Sequence, residues 1–510
     1  MNRKKNLFLN VGTAVLKQLI VVVCGFILPR YMLVFYGSAT NGLVSSITHF
    51  LSFISLMELG IGPVIQANLY KPLAEKDDQQ ISKVIISAER FFRKIAYVFL
   101  IYIAVLFFVY PLVINREFEF FFSASLLLII AVSTFAQYFF GMTNQLLLNA
   151  DQKAYIQITL QIITVLLTTV FSIVLMKLGA SVHVVKIFTA AVFIIRPLGQ
   201  SIYVRKHYKI DKKILLTEEP IKQKWNGFSQ HLASVVTNNI DVVLLSFFST
   251  LEKVSVYNVY YMVTNGVTQL IMTAATGIES LFGNMYAKKE NTLLINTFSA
   301  VEFCVHNVVA IAFSIAAITI VPFILVYTKG ITDANYNEPV FGIILVAAFA
   351  SQCLRIPYFR MIKAAGRFKE TQNGAFISMG LNFIISIVLL FRFGLIGIAF
   401  GTLVAMLFHT VYFVFYLKKS ILERPIWFFL KYLLSDLIIA VGSFFAAKHL
   451  LISKGIVSYA AWILYALKGL LIVLAIALPI NFLMHFREIC QLVRFAKNKK
   501  LLLDEKDNHK

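Results

Sequence analysis

The chain is 510 residues long, 59% hydrophobic and only 14% charged, with a formal net charge of +22 and a mean hydropathy of +0.78. Soluble domains carry about a quarter charged residues, so this composition excludes a soluble protein, and with it the nucleic-acid partner that so basic a soluble chain would suggest. Stretches of about 20 apolar residues, the length that crosses a hydrocarbon core, recur from one end to the other.

The first of them follows the basic head MNRKK and runs to about Leu33 without a small-residue cleavage site, which predicts a spanning helix and not a removable signal peptide. Hydropathy predicts an all-α polytopic membrane protein of about fourteen transmembrane helices. The predicted spans, in order, are 7–34, 42–70, 95–115, 119–148, 154–177, 181–204, 226–249, 255–287, 298–327, 339–363, 371–391, 395–417, 427–450 and 457–486. With the N-terminus inside, the segments 71–94, 204–224, 288–291, 417–425 and the tail face the cytoplasm and hold nearly all the Lys and Arg clusters. The opposite loops FYGSATNG, NREF, TLEK and TKGITDANYNEP carry about one basic residue each, as the positive-inside rule requires for two cytoplasmic termini. Two cytoplasmic stretches read as amphipathic interfacial helices held by anionic lipid: Ile81, Val84, Ile85, Ala88 and Phe92, and Ile489, Leu492, Val493 and Ala496.

The basic loop 204–224 divides two halves that match at an offset of about 216 residues. Asn10 answers Asn226, GIGPVIQANLYK answers GIESLFGNMYAKK with Tyr70 on Tyr286, and Lys153 answers Lys369. Lys177 pairs with Arg392, and Gly179 with Gly394. Six spans per copy make parallel repeats, which place a substrate path between them. The organisation read from this is a first lobe at 1–206, a cytoplasmic linker at 207–225, a second lobe at 226–420, two appended spans at 421–487 and a basic cytoplasmic tail at 488–510.

Charges inside spans are costly and usually face a bundle interior or a water-filled cavity. The cations are Lys17 and Arg30 (span 1), Lys186 and Arg196 (span 6), and Arg355 and Arg360 (span 10); the carboxylates are Glu58 (span 2), Asp241 (span 7) and Glu279 (span 8). Asp436 and Lys468 lie in the appended pair. Arg30, Arg360, Lys186 and Lys468 lie near enough to helix ends to snorkel, and Glu302, near the start of span 9, reads as interfacial. Lys17, Arg196, Asp241 and Arg355 lie deeper. The deep charges do not repeat between the halves, which suits a site built between two unlike faces more than scaffold ion pairs. The excess of cations, Lys17, Arg30, Arg196, Arg355 and Arg360, favours an anionic group such as a phosphate. Glu58, Asp241 and Glu279 either balance those cations or serve proton or sodium coupling. Pro29, Pro63, Pro197 and Pro357 fall in or near the charged spans, where a broken helix either lines a cavity or is the ordinary proline of a transmembrane helix.

The four cysteines and nine histidines show no metal-ligand spacing, so no metal is expected. The sequence has no phosphate-binding GxxxxGK[ST], no partnered GxSxG and no metal-holding DxD, which argues against an enzyme and against ATP-driven transport.

The first hairpin, LPRYMLVFYGSATNGLVSSITHFLSFISLMELGIGPVIQANLYK, resembles the polysaccharide exporters of the multidrug/oligosaccharidyl-lipid/polysaccharide (MOP) superfamily, which includes Wzx-type flippases, MurJ-type lipid II flippases and MATE drug exporters. The resemblance rests on a proline near the end of span 1, the glycines Gly37 and Gly42, the acidic-Leu-Gly-Ile-Gly box from Glu58, the Ile240-Asp241 step in span 7 and GLIGIAFGT in span 12. Asn41-Gly42 departs from the aromatic-Gly step expected there. The resemblance implies two six-helix lobes plus two extra helices, in a bacterial plasma membrane. It implies flipping of a polyprenyl-pyrophosphate-linked oligosaccharide to the outer leaflet for surface polysaccharide synthesis, with polymerase and other assembly proteins as partners. It also places Arg30, Glu58 and Asp241 at family positions. A MATE-like drug or cation antiporter is the sibling reading, and a membrane-embedded polysaccharide polymerase the alternative of another class.

Overall fold

The computed structural model describes residues 3–58, 60–114, 117–214, 228–367, 369–452 and 455–507, without the side chains of 3, 4, 7, 228–230 and 491–507. Helices follow one another along the whole described chain, with no strand among the described residues. They are α1 (Arg3–Ser52), α2 (Ile61–Glu75), α3 (Asp78–Val109), α4 (Phe120–Ala136), α5 (Met142–Ala150), α6 (Ala154–Lys177), α7 (Val182–His207), α8 (Phe228–Phe248) and α9 (Leu251–Ala274). After them come α10 (Ile278–Ala287), α11 (Asn291–Tyr327), α12 (Pro339–Leu354), α13 (Ile356–Ala364), α14 (Gln372–Phe393), α15 (Leu395–Ser420), α16 (Trp427–Leu450) and α17 (Tyr459–Asp507).

Among the described residues, twelve stretches are long and apolar enough to cross a membrane. The first, Phe8–Glu58, is divided at Gly37 (φ 81°, ψ 172°), so it supplies span 1 and the first part of span 2. Predicted span 8 is α9 with α10, where Asn258, Asn265 and Gln269 dilute the apolar content. The fourteen-helix architecture follows. Large apolar side chains such as Phe121 (78% exposed) and Leu483 (81% exposed) point outward, as they must where the surrounding solvent is hydrocarbon.

Among the described residues, spans 2, 4, 8 and 10 are interrupted part-way along their length. Span 2 passes through a 3-10 turn (Phe53–Glu58) and restarts after Gly60, whose φ of 69° suits only a residue without a β-carbon. Span 8 breaks between α9 and α10. Span 4 widens into a π turn (Gln137–Gly141) before the nine-residue α5, and span 10 breaks at Arg355 before the nine-residue α13. In each half the two short helices pack together, α2 on α5 and α10 on α13. The predicted repeat therefore extends to the positions of the breaks. Gly179 and Gly394 also do the same job: both take positive φ (78° and 57°) in the short turns that join α6 to α7 and α14 to α15.

The chain forms two compact units, Met1–Met262 with Gly330–Asn335, and Val263–Lys329 with Tyr336–Lys510. In the first, α1 packs on α6, α8 and α4, and α7 on α4 and α6. Asp333 accepts hydrogen bonds from Ser38 N and Ser38 Oγ, both 2.6 Å, and so caps the second part of α1 after the Gly37 break. Asn10 braces the α5–α6 turn, donating to Gln152 O at 2.9 Å and accepting from Tyr155 N at 2.8 Å. Its predicted counterpart Asn226 lies outside the described residues, as do 215–225 of the predicted linker.

In the second unit α14 and α12 pack on α15, while α16 and α17 pack on each other and on α11. Ala310, Ile318, Ile439, Ala447, Val473 and Ala477 form the apolar seam that holds this appended pair. One expectation is corrected here. Ile81, Val84, Ile85, Ala88 and Phe92 do not lie on lipid; all are at most 5% exposed, because the amphipathic segment is the beginning of α3 and turns its stripe into the unit, where α3 packs on α2 and α5. For the second stripe, the side chains of Leu492, Val493 and Ala496 are outside the described residues.

Candidate functional site

In the first unit, Lys17 and Arg30 are half-buried on α1. Lys17 has no hydrogen bond or ion pair among the described residues and sits within the apolar stretch Phe8–Glu58. Arg196 is half-buried on α7, where its Nη2 donates to Gln145 Oε1 at 3.1 Å; the same oxygen accepts from Gln137 Nε2 at 3.2 Å. No carboxylate among the described residues lies within ion-pair distance of it. One turn on, Gln200 is fully buried with neither amide atom hydrogen-bonded, and the buried Arg196 Nε also lacks a partner. Buried polar groups are nearly always satisfied, so these two side chains stand out on one face of α7.

Glu58 and Asp241 are each held by a phenol. Tyr138, in the π turn, donates to Glu58 Oε1 at 2.5 Å, and Tyr257 on α9 donates to the buried Asp241 Oδ2 at 2.8 Å. His231 meets the carbonyl of Ser55 at 2.6 Å, fixing α8 against the 3-10 turn that ends in Glu58.

In the second unit, Arg355 sits in the break between α12 and α13, with Nη1 2.6 Å from His409 Nδ1. Guanidinium donates and cannot accept, so His409 presents an unprotonated Nδ1 and Arg355 keeps its full charge. Arg360 is different: Glu279 Oε2 lies 3.0 Å from its Nη1 and 3.1 Å from Lys363 Nζ. The sequence residues brought together here are thus Arg360 and Glu279, whereas Lys17, Arg196 and Arg355 keep uncompensated charge in the described structure.

Glu302 is a correction. It is 1% exposed and accepts from Tyr358 and Arg424, so it lies inside the protein and not at an interface. Four residues on, His306 Nδ1 lies 2.5 Å from Asp436 Oδ2 on α16, and His485 Nε2 lies 3.0 Å from Ser435 Oγ. His306 thus ties α16 to α11, and His485 ties α17 to α16. A search for paired histidines along the sequence misses them, because each partner comes from another helix. The available signal was the spacing of Glu302 and His306, which puts two titratable groups on one face of an apolar helix.

No described protein family matches the chain, and no curated protein matches it. Solved structures do. Lipid II flippase MurJ in an inward closed conformation is 15% identical, with a TM-score of 0.71 over 94% of this chain and 100% of that one. A multidrug resistance MATE family transporter of the MOP superfamily, inward-facing, is 13% identical with a TM-score of 0.55 over 79% of this chain and 96% of its own. A MOP superfamily transporter from Pyrococcus furiosus is 14% identical with a TM-score of 0.54, over 83% and 98%. At these identities the likeness is one of fold.

Proposed function

We propose that this chain is a MOP-superfamily transporter that flips a polyprenyl-pyrophosphate-linked oligosaccharide from the inner to the outer leaflet of a bacterial plasma membrane, both termini being cytoplasmic. The observation that carries the reading is the set of cations without carboxylate partners, Lys17, Arg196 and Arg355, in a fold that matches a lipid II flippase over that protein's whole length. A pyrophosphate supplies the missing counter-charge, and guanidinium donors suit its oxygens. Binding would be followed by alternating access between two parallel repeats, while the lipid tail stays in the bilayer.

The sibling reading, a drug or cation antiporter, has less support. It calls for a cavity dominated by carboxylates, yet here Glu279 is already held by Arg360 and Lys363. The MATE structure also covers only 79% of this chain, against 94% for the flippase.

Deletion of the gene followed by assay of lipid-linked repeat units tests the reading: accumulation on the inner leaflet supports it, and its absence overturns it. Lys17→Gln, Arg196→Gln and Arg355→Gln should each abolish export at unchanged protein level; wild-type export in all three removes the cationic path. Glu58→Gln tests proton coupling, since a transport rate that loses its pH dependence assigns the coupling proton to Glu58, and an unchanged profile assigns Glu58 to structure.

A further inference from the structure

The first unit has a second basic feature, whose lining does not include Lys17 or Arg196. At the end where α7 finishes in Arg205, Lys206 and His207, a pocket of about 230 Å³ opens between α3, the π turn, α5 and α7. The segment after α7 forms one wall and is pinned at both ends: Tyr208 donates to Asp151 Oδ2 at 2.5 Å, and Asp211 N donates to Ser82 Oγ at 3.0 Å. The wall is therefore built, not draped.

Charge in the pocket does not balance. Arg93, Arg205 and Lys212 line it with a single carboxylate, Glu89. Glu89 lies 3.3 Å from Lys212 Nζ and 3.7 Å from Arg93 Nη2, while Arg205 has no ion pair or hydrogen bond among the described residues. The Arg93 guanidinium lies over the Phe139 ring, 5.3 Å from its centroid. Stacking there holds the planar fork in one orientation, with Nη2 turned to Glu89 and the remaining N–H groups of the fork available to an anion. Ser201 Oγ accepts from Asn144 at 2.9 Å, which leaves its own proton to donate into the pocket.

Basic residues at this end are expected from the positive-inside rule alone. What that rule does not supply is concavity, a stacked arginine and a neutral donor converging on one space. Pockets for drug-sized ligands run to about 300–1,000 Å³, so this one admits a headgroup and not an oligosaccharide. Phe140, 47% exposed, lines the same pocket and offers an apolar path from it to surrounding hydrocarbon.

We infer that this pocket binds the phosphate group of an anionic lipid headgroup at the basic end of the first unit. The inference does not depend on what the chain transports. Native mass spectrometry of the full-length protein in detergent tests it, with phosphatidylglycerol, phosphatidylcholine and a polyprenyl phosphate added in turn, and calorimetry with inorganic phosphate as a separate arm. The phosphatidylglycerol and polyprenyl phosphate adducts should exceed the phosphatidylcholine adduct. Arg205→Gln with Lys212→Gln should weaken them by about fivefold per charge removed. Lys288→Gln with Lys289→Gln, which removes two exposed charges elsewhere, should not. Equal binding of phosphatidylcholine, unchanged binding in the pocket variant, or equal loss in the Lys288/Lys289 variant overturns the site. Inorganic phosphate binding that is lost in the pocket variant identifies the bare phosphate group as the recognised element; lipid binding without it makes the lipid body part of recognition. Arg93→Gln gives a second variant should the double substitution unfold. Export assayed in parallel separates this site from the transport reading, because lipid binding can fail while export persists.

Discussion

Tyr138 Oη donates a 2.5 Å hydrogen bond to Glu58 Oε1 and so joins the π turn of the fourth span to the 3-10 turn of the second. Both breaks lie within a membrane-spanning region, where an unsatisfied carboxylate is expensive. Tyr138→Phe removes the donor and leaves the charge, whereas Glu58→Gln removes the charge and leaves an acceptor. Hydrogen bonds to charged groups contribute about 1.5–3 kcal/mol. Thermal unfolding of the purified protein should therefore show a larger loss for Tyr138→Phe than for Glu58→Gln; the reverse order would mean that the hydroxyl serves something other than Glu58.

The pair His306–Asp436 makes a sharper demand. The His306 side chain is 1% exposed and that of Asp436 12%, and they hold α16 on α11. Removing one member of a buried pair typically costs about 3–5 kcal/mol, while replacing both by apolar residues of similar size is often neutral. Asp436→Leu alone should destabilise strongly, and His306→Leu with Asp436→Leu should recover most of the loss. A double-mutant cycle measured by chemical unfolding in detergent checks this. Additive losses would show that the two side chains do not act as a pair.

These two relationships also mark where the sequence stops being readable. Spans, their count and the halves' common pattern follow from composition and period, and Gly179 and Gly394 could be matched because a positive-φ turn leaves a glycine behind. Pairings such as His306 with Asp436, 130 residues apart, leave no local mark. The Ile81–Phe92 stripe is illegible for another reason: an apolar helix face looks the same whether it meets lipid or protein, and here it is buried where α3 packs on α2 and α5. Among the candidate cations, burial could be guessed from position in a span. Whether a carboxylate stood nearby, as Glu279 does for Arg360 but none does for Arg196, depended on contacts between helices.

Two glycines of α1 should respond oppositely to alanine. A β-carbon at Gly42 would lie 1.9 Å from the carbonyl oxygen of Leu251, a backbone atom that cannot swing aside. Gly42→Ala should cost at least the 1–3 kcal/mol typical of overpacking, about the margin between a stable and a poorly accumulating protein. At Gly12 nothing lies within 4 Å, and Gly12→Ala should gain up to about 1 kcal/mol in helix propensity. Unfolding midpoints of the two variants check the contrast, and equal effects would place α1 differently against Leu251.

Glu117 gives a pH-dependent case outside the spans. Its Oε1 accepts from Leu251 N at 2.9 Å. Partial desolvation at this exposed position pushes its carboxyl above the ordinary value of 4.5, the Leu251 N–H pulls it back, and the nearby charge of Glu252 pushes it up again, with the net shift upward. A carboxyl raised on folding favours the protonated form, so its stabilising contribution is complete below the unfolded value near 4.5 and is lost as pH rises through the folded value. Glu117→Gln stays neutral at every pH and still offers an oxygen to Leu251 N. Wild type and variant should therefore unfold at similar temperatures near pH 4, and the variant should become the more stable as pH rises towards 7. Melting temperatures across that range read the difference directly, and a gap that does not change with pH would assign the effect of the substitution to packing and not to the charge.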